Sequence, residues 1–169
     1  ALYRRQLTGS GDFVDISMFE SVLAASPNIL GPVFGGDQVP DRMKERTHGG
    51  HAMLNIYETA DGQYLALGGG EHKFVEALFE GLGRPDLVKN VVGPAGDSHK
   101  LAIAFLRDTF RSRPLCEWQD WFEGRDICWS PVVTLKDAWD SDHVWARGMR
   151  FKDNDGIDHI GSAIHYTKE

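Results

Sequence analysis

The sequence predicts an α+β fold, a small domain with one β-hairpin and several helices. Two short β-rich runs are joined by Ala60-Asp61-Gly62, and an Asp-Gly pair supplies the positive φ that a tight hairpin turn needs. Apolar residues then recur at helical spacing in the segments that follow the hairpin. With 169 residues and 41% hydrophobic content, the chain has the size and composition of one ordinary globular domain.

The first fifty residues predict two helices, a strand and a long connection. Residues 1–7 have the character of a helix tail that ends at Thr8-Gly9-Ser10-Gly11. Alternation over residues 13–16 predicts a short strand, and Ser17 with Glu20 has capping-box spacing for a helix that runs to about residue 25. Proline and glycine are dense from residue 27 to residue 50, which predicts a long connection and a boundary.

The remaining elements follow the hairpin in order. The hairpin strands are predicted at residues 52–59 and 63–67. Helices are predicted from about residue 74 to 82, from 100 to 112 and from 114 to 124. Residues 127–134 predict a short strand broken by Pro131, which suits an edge strand or the end of a strand. Beyond it we expect a short helix at residues 135–139, a turn near Asp142 and weak strands near Met149 and His159.

Charge and composition exclude several classes of function. The formal net charge of −7, from 25 acidic and 18 basic side chains, disfavours nucleic acid and an acidic membrane surface as partners. No apolar run of about eighteen residues exists to span a bilayer. Two cysteines, Cys116 and Cys128, are too few for a disulfide framework and lack zinc-site spacing, so we expect free thiols and a cytoplasmic protein.

A glycine run precedes the first helix after the hairpin. Gly68, Gly69 and Gly70 lie between a predicted strand and a predicted helix, where backbone N–H groups can hold an anion. The alternative is a flexible turn with no ligand. Glu71 then falls at the helix N-terminus, where its carboxylate is either a cap or, in an apolar cleft, a base.

A second candidate is His48-Gly49-Gly50-His51, in which two imidazoles flank glycines whose backbone a ligand can approach closely. With His72 these histidines could form a zinc site, but their spacing matches no metal motif, so no metal is predicted. The alternative is that they are ordinary surface or core polar groups.

Taken in order, several motifs together resemble the C-terminal part of the family III CoA-transferases, of CaiB/BaiF type, and within them the α-methylacyl-CoA racemase branch. The matching pieces are residues 1–5, 8–11, 14–18, 57–64, 70–74, 81–87, Pro131-Val132, Asp142-His143 and 146–149. The resemblance therefore covers nearly the whole chain. Residues 57–62 and Ala146-Arg147-Gly148-Met149 are its most specific parts.

The resemblance implies a large Rossmann-like domain, a smaller α+β domain reached through long linkers, and two interlocked subunits. Residues 1–46 would then be a remnant of the large domain with a linker. Residues 47–134 would be the small domain, and residues 135–169 a return linker with another remnant.

The resemblance also implies chemistry on acyl-CoA thioesters. The racemases move the proton next to the thioester carbonyl, and one glutamate of their catalytic set matches Glu71. The transferases form a covalent acyl intermediate on an aspartate, under a glycine loop that matches Gly49 and Gly50. We therefore predict Glu71 as catalytic and His48, Gly49, Gly50, His51 and Tyr57 as substrate-binding. A CoA thioester would be the substrate, with no permanently bound cofactor.

Two departures from the family pattern lead to two hypotheses. The family's catalytic aspartate and histidine lie upstream of the segment that matches Ala1, and His72 stands where a proline is common. We first expect the C-terminal part of an acyl-CoA racemase or transferase, incomplete for catalysis alone. The alternative is a non-catalytic binding or assembly module of the same fold, which acts as an intertwined dimer or with a complementing subunit. A small-molecule binding domain of unrelated class is a third possibility.

Overall fold

The computed structural model describes residues 1–36 and 39–165. The chain divides into two units, residues 1–42 and residues 43–169, and each is described by itself. None of the helices in the described residues is both long and apolar enough to cross a membrane.

The first unit contains three helices, α1 (Leu2–Thr8), α2 (Met18–Ala24) and α3 (Pro27–Gly36). Helix α1 ends at Gly9, whose φ of 72° is left-handed. The Ser17 hydroxyl accepts the Glu20 N–H at 3.3 Å, so the predicted cap of α2 is confirmed. No residue of these three helices is buried.

Two predictions for this unit are wrong. Residues 13–16 form no strand, because Phe13 is 95% exposed and no strand of the described residues pairs with them. Part of the predicted connection is helix α3, because Pro27 falls at the first helical position, where a missing N–H removes no hydrogen bond.

The second unit is built on an antiparallel sheet in the order β1 (Asn55–Glu58), β2 (Tyr64–Leu67) and β3 (Trp129–Val132). Asn55 pairs with Leu67 across the hairpin, and Gly62 in its turn has a φ of 73°. The hairpin is therefore confirmed. Strand β3 pairs with β2, and among the described residues it lies at the edge, as Pro131 predicts.

Helices surround this sheet. They are α4 (His72–Gly81), α5 (Val88–Val91), α6 (Lys100–Phe110), α7 (Leu115–Phe122), α8 (Leu135–Trp139) and α9 (Asp142–Ala146). Single 3-10 turns precede α5 and α6, and a second hairpin pairs β4 (Arg150–Lys152) with β5 (Asp158–Ile160). The predicted turn near Asp142 is instead helix α9, because the Ser141 hydroxyl caps it by accepting the Val144 N–H at 3.4 Å.

The core of the second unit lies between the three-stranded sheet and helices α4, α6 and α7. Phe110 and Trp118 pack edge to face with ring centroids 5.0 Å apart, and the indole Nε1–H of Trp118 donates to the Phe110 carbonyl at 2.9 Å. Both residues are 1% exposed or less. This packing holds α6 and α7 together within the core.

The mixed α/β fold with a small antiparallel sheet is thus confirmed. Each strand pairing in the described residues is antiparallel, and the Rossmann-like remnants at both ends stay a prediction. The boundaries predicted at residues 46 and 134 also stay predictions.

Candidate functional site

A loop at residues 43–51 carries the first glycine motif. At Gly50 a Cβ would lie 2.3 Å from the carbonyl carbon and oxygen of Lys44, so the loop closes on itself only with glycine there. The Gly50 N–H donates to the Glu45 carbonyl at 3.0 Å, and its own carbonyl accepts the Gly96 N–H at 3.0 Å. The loop is therefore held against the segment that precedes α6.

This closure places His51 against His99, with ring centroids 4.5 Å apart. His99 is fully buried; its Nδ1 accepts the Ala52 N–H at 3.2 Å and its Nε2 lies 3.2 Å from the Gly93 carbonyl. A carbonyl only accepts, so Nε2–H is the donor in the contact with Gly93. Both of its ring nitrogens are thus occupied by the backbone.

The His51 ring is uncharged at pH 7, and its hydrogen bond fixes its tautomer. Its Nδ1 accepts the Met53 N–H at 3.0 Å, which leaves the proton of a neutral ring on Nε2. Burial first, and then the nearby His99 and Arg46, lower the pKa of His51 to about 4. The side chain is 6% exposed, and no buried side-chain nitrogen or oxygen among the described residues lacks a hydrogen-bond partner.

The glycine run between β2 and α4 packs on both sides. A Cβ at Gly69 would lie 2.7 Å from Cδ2 of Phe74 and 2.8 Å from Cβ of Cys128. A Cβ at Gly70 would lie 3.1 Å from Cε1 and 3.3 Å from Nε2 of His51. The Cε1–Nε2 edge of His51 therefore faces Gly70, and the two glycine motifs of the sequence meet at this point.

Glu71 directly follows Gly70 and is the N-cap residue of α4. Its backbone carbonyl accepts the N–H groups of Phe74 and Val75 at 3.0 and 3.1 Å, but within the described residues its exposed side chain makes no capping hydrogen bond. The cap interpretation of the carboxylate therefore has no support in the geometry. The carboxylate lies exposed at the start of α4.

The charged neighbours of Glu71 on α4 pair with other groups. His72 Nδ1 lies 3.0 Å from the Glu76 carboxylate, and Lys73 Nζ lies 3.0 Å from that of Asp126. Neither of these two contacts involves Glu71.

The other predicted site residues lie apart from this edge. His48 is exposed, with its Nδ1 3.1 Å from the Thr47 hydroxyl, and Gly49 has a φ of 93° beside Met43. Tyr57 is 1% exposed, and its hydroxyl donates to the Ala52 carbonyl at 2.7 Å. Its hydroxyl therefore serves the core, and the substrate-binding roles of His48 and Tyr57 stay predictions.

A groove of about 620 Å³ opens on the surface of the second unit. Its lining consists of His72, Pro85, Asp86, Val88, Lys89, Val92 and Gly93. One residue of this lining, Gly93, accepts a hydrogen bond from His99 through its backbone carbonyl. A volume of this order can hold an extended small-molecule chain.

The sequence offered no signal for His99, Cys128 or Gly96. His99 lies 47 residues from the backbone N–H that it binds, so no local spacing connects them. The part of the chain that the structure describes contains no cluster of three or more His, Cys, Asp or Glu side chains that could hold a metal.

Comparison with known proteins identifies the family. CoA-transferase family III matches residues 1–167. The chain is 31% identical over 149 residues to the human α-methylacyl-CoA racemase, an alignment that covers 88% of this chain and 38% of the racemase. It is 28% identical over 159 residues to the succinyl-CoA–L-malate CoA-transferase beta subunit of Chloroflexus aurantiacus, covering 87% of this chain and 37% of that subunit.

A solved structure shows the same fold. A CAIB/BAIF family protein from Brucella suis superimposes with a TM-score of 0.71 at 20% identity, over 98% of this chain and 44% of that protein. The chain thus spans about two fifths of the length of the relatives that it matches. With nearly every residue inside the family match, the chain belongs to CoA-transferase family III.

Proposed function

We propose that this chain is the C-terminal part of a protein that acts on acyl-CoA thioesters, and that Glu71 accepts the proton next to the thioester carbonyl. The observation that carries the proposal is the position of Glu71. Its carboxylate caps no helix within the described residues and lies directly after a glycine turn, where a ligand can approach the backbone.

The chemistry follows from the acidity of a carbon next to a thioester. A carboxylate can remove that proton when a donor stabilises the negative charge on the carbonyl oxygen. Returning the proton to the same face gives exchange with solvent, whereas inversion needs a second base on the opposite face. The family resemblance puts the further catalytic groups upstream of Ala1, so we expect exchange on one face at most from this chain alone.

The reaction class is proposed as racemase-like. Relatives named as a racemase and as CoA-transferases both match the chain, so the racemase assignment rests on the motif resemblance and on Glu71 rather than on identity. The racemase assignment predicts exchange of the α-proton without transfer of CoA to a second acid. The CoA thioester is a substrate here, not a resident cofactor, and the cytoplasmic location stays a prediction.

Deuterium exchange tests this proposal. The chain is incubated with a 2-methylacyl-CoA thioester in deuterated water, and label at the α-carbon is followed by mass spectrometry. Glu71→Gln should lower the exchange rate by about 100-fold or more. Glu80→Gln, an exposed carboxylate on the same helix, is the matched control and should leave the rate unchanged.

Two outcomes contradict the proposal. Equal exchange by the wild type and Glu71→Gln would remove Glu71 from the reaction. Calorimetry that detects no thioester binding, together with no exchange, would reject action on acyl-CoA by this chain.

The second candidate is an assembly module of the same fold. It is favoured by large apolar side chains exposed on the first unit, of which Phe13 is 95%, Met18 87% and Phe34 81% exposed. Such a surface is typical of a site that another chain covers. A second copy or a complementing subunit would be the partner.

Analytical ultracentrifugation tests the module. A self-association that Phe13→Glu and Phe19→Glu each weaken would support a dimer through the first unit. A strict monomer at high concentration that captures no complementing subunit would contradict it.

A further inference from the structure

The groove of about 620 Å³ on the second unit has an aliphatic part that is open to solvent. The start of α4, the 3-10 turn before α5 and α5 itself contribute its lining. Its apolar side chains are those of Pro85, Val88 and Val92, and Val92 is 51% exposed. Covering such side chains with an apolar ligand is favourable, because it removes apolar surface from water. This part of the groove therefore suits a hydrocarbon chain.

The acidic side chains in and beside the lining are already paired. Both carboxylate oxygens of Asp86 accept hydrogen bonds from the Arg84 guanidinium, each at 2.8 Å. The Glu76 carboxylate lies 3.0 Å from Nδ1 of His72. A carboxylate held by a guanidinium in this two-pronged way repels a further anion only weakly, because the pair carries no net charge.

Lys89 supplies the positive charge that remains in the lining. It is exposed, and within the described residues its ammonium group makes no hydrogen bond or ion pair. Its charge acts on this side of the groove, because the pKa of Asp86 is lowered first by the hydrogen bond from Arg84 and, more weakly, by the charge of Lys89. An unpaired ammonium beside three aliphatic side chains matches a ligand that joins one negative charge to a hydrocarbon chain.

We propose that this groove binds an aliphatic carboxylate of medium chain length, with the chain on Pro85, Val88 and Val92 and the carboxylate at the Lys89 ammonium. The inference goes beyond the proposed function, since it needs neither a proton transfer nor a thioester. The carboxylate has two sources, a free acid or the far end of an acyl thioester whose chain carries a second carboxyl group. Both present the same chemistry to the groove.

A series of carboxylates tests the apolar half of the site. Calorimetry of the whole chain with butanoate, hexanoate and octanoate should show affinity rising by about two- to fourfold for each added CH₂, as partial to full removal of a methylene from water predicts. In ¹H–¹⁵N spectra, octanoate should shift the amide signals of Val92 and Gly93 and leave that of Leu101, exposed on α6, in place. Affinity that does not change with chain length, or shifts confined to other residues, would overturn the proposal.

Octanol, which has the chain without the charge, tests the ammonium. In Lys89→Gln the ratio of octanoate to octanol affinity should fall by about two- to fivefold, the range of an exposed ion pair. Unchanged octanol binding would show that the variant keeps the groove. Lys152→Gln, exposed on β4, is the matched control and should keep the wild-type ratio. Added salt should lower the ratio in the wild type, because it screens the exposed pair. The same ratio in Lys89→Gln and the wild type would overturn the role of Lys89.

Two thioesters identify the source of the carboxylate. Suberyl-CoA ends in a free carboxyl group, and octanoyl-CoA has the same chain length without it. If Lys89→Gln weakens suberyl-CoA but not octanoyl-CoA, and octanoate competes with suberyl-CoA, the groove holds the far end of an acyl thioester. If Lys89→Gln weakens octanoate alone, the groove holds a free acid.

The outcomes separate this inference from the proposed function. The octanoate series contains no CoA, so octanoate binding at the groove without binding of either thioester would support the inference and contradict the proposed function. Binding of the thioesters with no octanoate binding, and with equal affinities in Lys89→Gln and the wild type, would overturn the inference and leave the proposed function standing.

Discussion

The carboxylate of Asp61, in the β1–β2 turn, accepts the backbone N–H of Leu115 at 3.2 and 3.3 Å. Leu115 begins helix α7, and the preceding Pro114 has no side-chain acceptor to cap it. The Ala60 N–H adds a bond to the Arg113 carbonyl at 2.9 Å. The hairpin turn therefore caps a helix that starts 54 residues later in the chain.

Loss of this remote cap should lower thermal stability. We expect Asp61→Ala to lower the Tm, because the first N–H groups of α7 lose their charged acceptor. Asp120→Asn, on the exposed side of α7, should leave the Tm nearly unchanged. Equal Tm values for Asp61→Ala and Asp120→Asn would contradict the capping role.

The contribution of Asp61 should also depend on pH. Its pKa is lowered, first by the hydrogen bond from the Thr59 hydroxyl and then by the Leu115 N–H. Because the folded chain favours the ionised carboxylate, Asp61 stabilises the fold above the ordinary aspartate pKa of about 4. This stabilisation is lost as the pH falls through the lowered pKa of the folded chain. The Tm difference between the wild type and Asp61→Asn should therefore shrink as the pH falls below about 4. A difference that grows in acid would contradict this.

His51 should also lower stability in acid, but in a higher pH window than Asp61. The folded chain keeps His51 neutral down to its pKa of about 4, whereas the unfolded chain binds a proton below about 6.5. Unfolding thus takes up a proton, and stability falls from pH 6.5 towards pH 4 with a slope of at most about 1.4 kcal/mol per pH unit from this group. Urea denaturation of His51→Asn should lack this part of the slope, and an unchanged slope would count against the lowered pKa.

Gly50 and Gly68 tolerate a methyl group very differently. Gly50→Ala should destabilise the second unit by about 1–3 kcal/mol, because its Cβ would lie 2.3 Å from the Lys44 carbonyl and the backbone must move. Gly68→Ala is the matched control, since a Cβ there meets nothing within 4 Å and its φ is not left-handed. Urea denaturation measures both, and a neutral Gly50→Ala would show that the loop closes differently.

Two leucines of helix α6 test the core. Leu106 is fully buried, and Leu106→Ala should cost about 2–5 kcal/mol of unfolding free energy because the cavity cannot close completely. Leu101 on the same helix is 67% exposed, and Leu101→Ala should change stability by about 0.5 kcal/mol or less. Similar losses in the two variants would mean that α6 presents another face to the sheet.

Local signals in the sequence were sufficient for the elements that depend on them. Asp61-Gly62 specifies the hairpin turn and Ser17 the start of α2, because each acts on its own backbone within four residues. The prolines and glycines of residues 27–36 are typical of loops, so the sequence does not predict helix α3. Helix α9 depends on Ser141 as its cap, a signal that the prediction of a turn near Asp142 does not use.

The candidate site was only partly predictable for a physical reason. Glu71 and His51 each stood out by residue type and neighbouring glycines, but their proximity depends on His51 packing on Gly70 across the hairpin. His99, the second imidazole of the pair, comes from a turn distant in sequence. No periodicity in the sequence relates it to the loop that carries His51.

Strand β3 has a consequence for how this protein can associate. In the described residues it pairs with β2 alone, and Pro131 within it carries no N–H for a further ladder. Another strand would therefore gain an incomplete set of hydrogen bonds by adding at this edge. Backbone pairing of a second copy at this edge is therefore disfavoured, because Pro131 interrupts its row of N–H donors.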